Sequence, residues 1–186
     1  RLFLKRKKMD YYNYFDTCED LNQIDDNLWL GNCIAAMNIQ ELQKRGITKI
    51  LTVMDGEVVE DYNKEDGYIH KVIKIRDTES EHIIKYFGEC LNFINGFENV
   101  LVHCAAGASR SATIVIAYIM WVKRWDAERA HQFVQSKRLV AWPNSGFKQQ
   151  LKMFEELLVQ NHYDISKINF KAIKWIRYLL NSFEEK

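Results

Sequence analysis

Apolar and polar positions change period several times along this chain, and each change marks an element. Asn27-Leu28-Trp29-Leu30-Gly31 and Thr48-Lys49-Ile50-Leu51-Thr52-Val53 are apolar-rich runs of strand length. The stretch between them, from about Ala35 to Arg45, has helical spacing, and Gly46 is placed to end it. Ile69 to Ile75 reads as a further strand, and Ser80 is placed to cap a helix carrying Ile83, Phe87, Leu91 and Ile94 on one stripe. Asn99 to His103 is a brief apolar run that gives way at once to small residues. Beyond them, Ser111 to Lys123 has the length and apolar content of a buried helix. Asp126 can cap a helix reaching about Arg138, and Asn144 or Ser145 can cap one that carries Phe147, Leu151, Phe154 and Leu158. From Asp164 to Phe183 the residues Ile165, Ile168, Ala172, Ile176, Leu179 and Phe183 recur on one side, which predicts an added helix.

Strands mixed with helices first, and helices alone later, predict an α/β domain: a central sheet flanked by helices, with a helical C-terminal half. The 186 residues, 47% of them hydrophobic, suffice for one packed domain. The expected boundaries are an N-terminal arm over 1–22, a main domain over 23–159 and a helical extension over 160–186. The basic run at residues 1–8 reads as a solvated arm.

Charge then narrows the function classes. With 26 basic and 25 acidic residues, a net of +1, no global field argues for nucleic acid or an anionic membrane, so any anion must be bound locally. The longest strongly apolar stretch, Ala112 to Val122, is too short to span a bilayer. A soluble intracellular protein, cytoplasmic or nuclear, is the expectation. Cys18, Cys33, Cys90 and Cys104 lie far apart, without the paired spacings of a structural zinc site, and are expected to be inert buried thiols with one exception.

The exception is Cys104. Val100-Leu101-Val102 leads into His103, Cys104, five small residues (Ala105, Ala106, Gly107, Ala108, Ser109), Arg110 and Ser111, and then a helix. A strand, a loop with almost no side-chain bulk and a helix N-terminus let successive backbone N–H groups converge on one point, which makes an anion cradle. Arg110 can fold back and hold two phosphate oxygens bidentately. Cys104 sits in the same field of dipoles and cation, surroundings that favour a thiolate nucleophile. A thiolate attacking phosphorus leaves a departing oxygen in need of a proton, and a carboxylic acid must supply it. Asp77 is the candidate, since it opens the loop Asp77-Thr78-Glu79-Ser80 after the third strand; Glu79 and Glu81 are the alternatives.

These residues resemble the dual-specificity branch of the cysteine phosphatases. The run from Val102 to Thr113, continuing to Ala117-Tyr118-Ile119-Met120, is similar to its HCxxGxxRS signature and the helix beyond. Further matches are Asn27 to Gly31, Gly46 to Leu51, Asp77 with Ile83 and Tyr86-Phe87, and Pro143 to Phe147 with Gln150-Leu151. The resemblance covers about residues 23–159 and implies a mixed sheet of five strands or so in the phosphatase II-like fold. It implies a phosphocysteine at Cys104, phosphate binding by Arg110 and the amides of residues 105–109, and general acid then base chemistry at Asp77. His103 would orient the loop and tune the thiolate, Ser111 would help the intermediate hydrolyse, and Asn144 would buttress the loop. It implies no metal and no cofactor, and a phosphoprotein substrate; the oligomeric state is left open. One departure is Thr52, which stands where many members have Asn.

Two other functions compete. A non-protein phosphate ester (a phosphoinositide, an RNA 5′ end, a phosphoglycan) would fit the same chemistry, but lipid-directed relatives tend to carry loop lysines and RNA-directed ones an Asn before the Arg, and Ala105, Ala108 and Ser109 offer neither. A module that holds phosphoproteins without turnover is the third reading, and Cys104, Arg110 and a candidate acid argue against it. An activated thiolate is also open to oxidation, with Cys33 or Cys90 as conceivable resolving thiols.

Overall fold

The computed structural model describes residues 19–56 and 67–173. Five strands form one sheet: β1 (Leu21–Asp25), β2 (Leu28–Gly31), β3 (Ile47–Val53), β4 (Ile69–Ile73) and β5 (Asn99–His103), in the order β1-β2-β5-β3-β4. The β1–β2 pair is antiparallel and the other pairs are parallel, so the sheet is mixed, as expected. Strand β5 enters between β2 and β3, with Gly31 and Thr52 in register with His103 on either side. Ligands bind outside the carboxyl ends of such strands. The loop after β5 therefore emerges at the middle of that edge.

Two cores sandwich the sheet. On one face, helices α1 (Cys33–Met37) and α2 (Ile39–Lys44) close over Trp29, Ile47, Ile50 and Leu101. On the other lie α3 (Phe87–Ile94), α4 (Arg110–Lys123), α5 (Ala127–Lys137) and α6 (Ser145–Gln160), around Leu30, Leu51, Val102, Phe147 and Phe154. Helix α4 carries nine buried residues from Ser111 to Met120, which accounts for its continuous apolar sequence. Among the described residues no helix is long and apolar enough to cross a membrane.

Several expectations need correction. Strand β1 was not read from the sequence and lies partly in the stretch assigned to the arm: its LNQID sequence has two apolar residues, Leu21 and Ile24, which enter opposite cores. The helix expected over residues 35–45 is two helices, because Asn38 leaves helical geometry and its Oδ1 accepts from the Glu41 N–H to cap the second. Ser80 caps nothing. Residues 77–80 bend through a turn in which the Glu81 N–H donates to the Thr78 carbonyl at 3.1 Å, and a 3-10 turn at Ile83–Tyr86 then runs into α3. Asp126 and Asn144 do cap α5 and α6, accepting from the N–H groups of Arg129 and Phe147.

The largest difference is at the C-terminus. Instead of a helix from Asp164, the chain makes 3-10 turns at Ile165–Lys167 and Phe170–Ala172, capped by Asp164 and Asn169. Ile165, Ile168 and Phe170 belong to the main core, and the Trp121 Nε1–H donates to the Tyr163 carbonyl at 3.0 Å. A helical stripe of apolar residues thus serves a segment that packs turn by turn. The basic run at 1–8, Cys18 and the apolar positions from Ile176 to Phe183 lie outside the described residues.

Candidate active site

The loop Cys104–Ser109 is built from its carbonyls outward. The Ala105 carbonyl accepts from the Cys33 N–H at 3.2 Å and that of Ala108 from the Trp142 N–H at 2.7 Å. Between them, the Ala106 and Gly107 carbonyls accept from Arg138 Nη2 and Nε at 3.1 and 2.9 Å. A trans peptide carries its N–H opposite its C=O, so the N–H groups of residues 106–109 face the other way, into the loop. One shows its target: the Gly107 N–H donates to Cys104 Sγ at 3.2 Å. Gly107 holds φ at +66°, and a Cβ there would collide with the Gly31 carbonyl and the Arg138 guanidinium.

Cys104 is 1% exposed, and its sulfur receives a second hydrogen bond from the Ser111 hydroxyl at 3.1 Å. Two donors and the N-terminus of α4 thus converge on one sulfur. Arg110 begins that helix, with its Nε 3.6 Å from Asp77 Oδ2. This Nε is buried and has no hydrogen-bond partner among the described residues.

Asp77 is brought to the loop by direct contacts. Its Oδ1 accepts from the Ser109 hydroxyl at 2.7 Å and from Asn144 Nδ2 at 2.8 Å. Asn144 also donates its backbone N–H to Ser109 Oγ at 3.1 Å, so one residue joins the acid, the loop and the start of α6. The 77–82 segment is clamped along its length: Gln150, fully buried, donates to the Glu81 carbonyl at 2.8 Å and accepts from the Ile84 N–H at 3.0 Å. A Cβ on Gly146 would strike the Glu79 carbonyl, which explains a glycine in the first turn of α6. Of the alternative acids, Glu81 pairs with Arg76 at 2.8 Å and Glu79 is exposed. Only Asp77 of the three joins the loop.

Behind Cys104, His103 is fully buried, and its Nε2 lies 2.7 Å from Thr52 Oγ1, which in turn lies 2.8 Å from His70 Nε2. Burial, reinforced by the charge of His70 and slightly offset by the Cys104 backbone, pushes the His103 imidazole down to about 4. Burial also lowers His70. His103 is therefore neutral at pH 7, and Thr52 supplies its side-chain contact. Cys90 is wholly buried in the main core, which pushes its thiol up and makes it a poor resolving thiol. Cys33 is partly buried and touches the loop through its backbone.

Sequence reasoning missed Arg138 and Gln150 as functional supports. Arg138 was read only as a helix end, and its 2% exposure is visible only in the folded chain. Among the described residues no group of three His, Cys, Asp or Glu side chains could hold a metal ion.

Comparison with known proteins agrees with this geometry. The sequence model of the family described as "Dual specificity phosphatase, catalytic domain" matches residues 28–157. The chain is 39% identical over 137 residues to Dual specificity protein phosphatase 1 of Arabidopsis thaliana, covering 72% of this chain and 68% of the relative. It is 37% identical over 140 residues to human Dual specificity protein phosphatase 22, covering 73% and 74%. The crystal structure of DUSP15 superposes with a TM-score of 0.70 at 34% identity, over 77% of this chain and 92% of that one. The chain belongs to the dual specificity phosphatase family.

Proposed function

We propose that this protein removes phosphate from phosphotyrosine and from phosphoserine or phosphothreonine in proteins, through a phosphocysteine at Cys104. The observation that carries the reading is the double hydrogen bond onto Cys104 Sγ, from Gly107 and Ser111, inside a loop whose inner wall is backbone N–H. The phosphate dianion sits in that cradle, held by the amides of residues 106–109 and by Arg110, whose unpartnered Nε turns from Asp77 to a phosphate oxygen. The thiolate attacks phosphorus, an S–P bond forms, and the P–O bond to the substrate breaks. The departing oxygen keeps the electron pair and takes a proton from Asp77.

The two carboxyl oxygens of Asp77 are not equivalent for that transfer. Oδ1 accepts from two donors, so Oδ2, the oxygen facing Arg110, is the one that can be protonated. In the second step Asp77 takes a proton from water, the water oxygen attacks phosphorus, and the S–P pair returns to a sulfur stabilised by the Ser111 hydroxyl. His103 and Asn144 act through other groups, as positioning residues. The lack of loop lysines favours protein over lipid esters, and the near-zero net charge argues against nucleic acid. A nucleophilic thiol at Cys104, with Cys33 and Cys90 also free, fits a reducing compartment. Asp77→Ala checks the division of labour: turnover of an alkyl phosphate falls far more than that of an activated aryl phosphate, whereas Glu79→Ala and Glu81→Ala change neither. Equal losses on both esters would count against an acid at Asp77.

A further inference from the structure

Four carbonyls of the phosphate loop point outward, and two of the four are received by a single side chain. The outer two are held by backbone N–H groups of Cys33 and Trp142, independent of the side chains there. The inner two, on Ala106 and Gly107, depend on Arg138. On its other side the same guanidinium donates through Nη1 to the Glu19 carbonyl and to Asn22 Oδ1, both at 2.7 Å. Glu19 and Asn22 flank the start of β1, more than a hundred residues away in sequence. The segment is fastened again nearby: the Asn32 N–H donates to the Asp20 carbonyl at 3.0 Å, and Asn32 Nδ2 to Asp20 Oδ1 at 2.6 Å.

We infer that Arg138 is a positioning residue for phosphate binding, which fixes the two central loop peptides with their N–H groups inward and couples them to the chain entering β1. The inference rests on the reading of the Cys104–Ser109 loop as the phosphate cradle. The physical step is peptide planarity: a peptide whose C=O is anchored to Arg138 cannot turn its N–H out of the cradle without breaking a charge-assisted bond. Gly107 makes the anchor necessary, because glycine alone does not resist a peptide flip. Only a planar fork can serve two successive carbonyls and a neighbouring strand at once. Lysine, whose three donors sit on one nitrogen, cannot span them. The sequence boundary at residue 23 would cut this connection, since both Glu19 and Asn22 lie before it.

The test uses the full chain and a readout that does not require turnover: protection of Cys104 from iodoacetamide alkylation by inorganic phosphate, with thermal unfolding measured alongside. Arg138→Met should raise the phosphate concentration for half protection by on the order of tenfold, as loss of charged hydrogen bonds to the cradle predicts. Arg138→Lys should recover only part of that loss, and Asn22→Ala, which removes one anchor of the guanidinium, should give a smaller shift in the same direction. KM for an aryl phosphate should rise in the same order. Unchanged phosphate protection in Arg138→Lys and Asn22→Ala overturns the inference, whether or not Arg138→Met folds. So does an Arg138→Met protein that melts earlier but binds phosphate as the wild type does. Wild-type protein that is protected by phosphate yet releases none from any ester would strike the catalytic reading and leave the brace standing.

Discussion

His103 is where burial has the clearest thermodynamic consequence. Its folded value of about 4 lies below the ordinary 6.5, so between those limits the unfolded chain holds a proton that the folded one does not. Stability at this residue therefore falls as pH drops from about 6.5 to about 4, and is flat below; the full effect is roughly 3 kcal/mol. Urea unfolding of wild type and His103→Gln across that range should show the wild type losing more stability on acidification, and parallel curves would contradict it. Asn144 allows its two contacts to be separated. Asn144→Asp keeps an oxygen to cap α6 but sets a like charge against Asp77. The melting temperature should hold within a degree or two, by the modest worth of exposed charge contacts, while turnover of alkyl phosphates drops. A loss of stability with unchanged turnover would assign Asn144 to the helix alone.

At the scale of elements, what was legible in the sequence was what is contiguous. A strand, small residues, an arginine and a helix sit in one run, so Cys104, Arg110 and Ser111 needed no tertiary information. Asp77 was legible as a loop position and through the family resemblance, and the contacts that separate it from Glu79 and Glu81 are made by Ser109 and Asn144, 32 and 67 residues away. Arg138 and Gln150 were not legible, because their partners are backbone groups of distant segments and a periodic pattern records only burial. Strand β1 was missed for the opposite reason: two apolar residues in five carry too little pattern, and pairing with β2 makes the strand. Asn38 and the 3-10 turns show capping side chains overriding apolar spacing, since a cap satisfies backbone groups that a stripe of hydrophobes does not.

For the molecule as a whole, the elements beyond the loop are there to hold it. Strands β2 and β3 flank His103, α4 supplies its dipole, α6 clamps the Asp77 segment, and Arg138 ties the loop to β1. The segment after α6 belongs to the same body. Phe170 is 8% exposed, with its ring centroid 5.9 Å from that of Phe154, so Phe170→Ala should cost roughly 3 kcal/mol in chemical denaturation. An unchanged midpoint would mean that residues 160–173 are a detachable extension after all.

The central claim is that Cys104 is the nucleophile of a phosphatase acting on phosphorylated side chains of both kinds. Phosphate release from matched phosphotyrosine and phosphothreonine peptides, by freshly reduced wild type and by Cys104→Ser, tests it most directly. Release from both peptides that vanishes in Cys104→Ser is the predicted result. Release that survives in Cys104→Ser, or none from either peptide with the wild type, would contradict it.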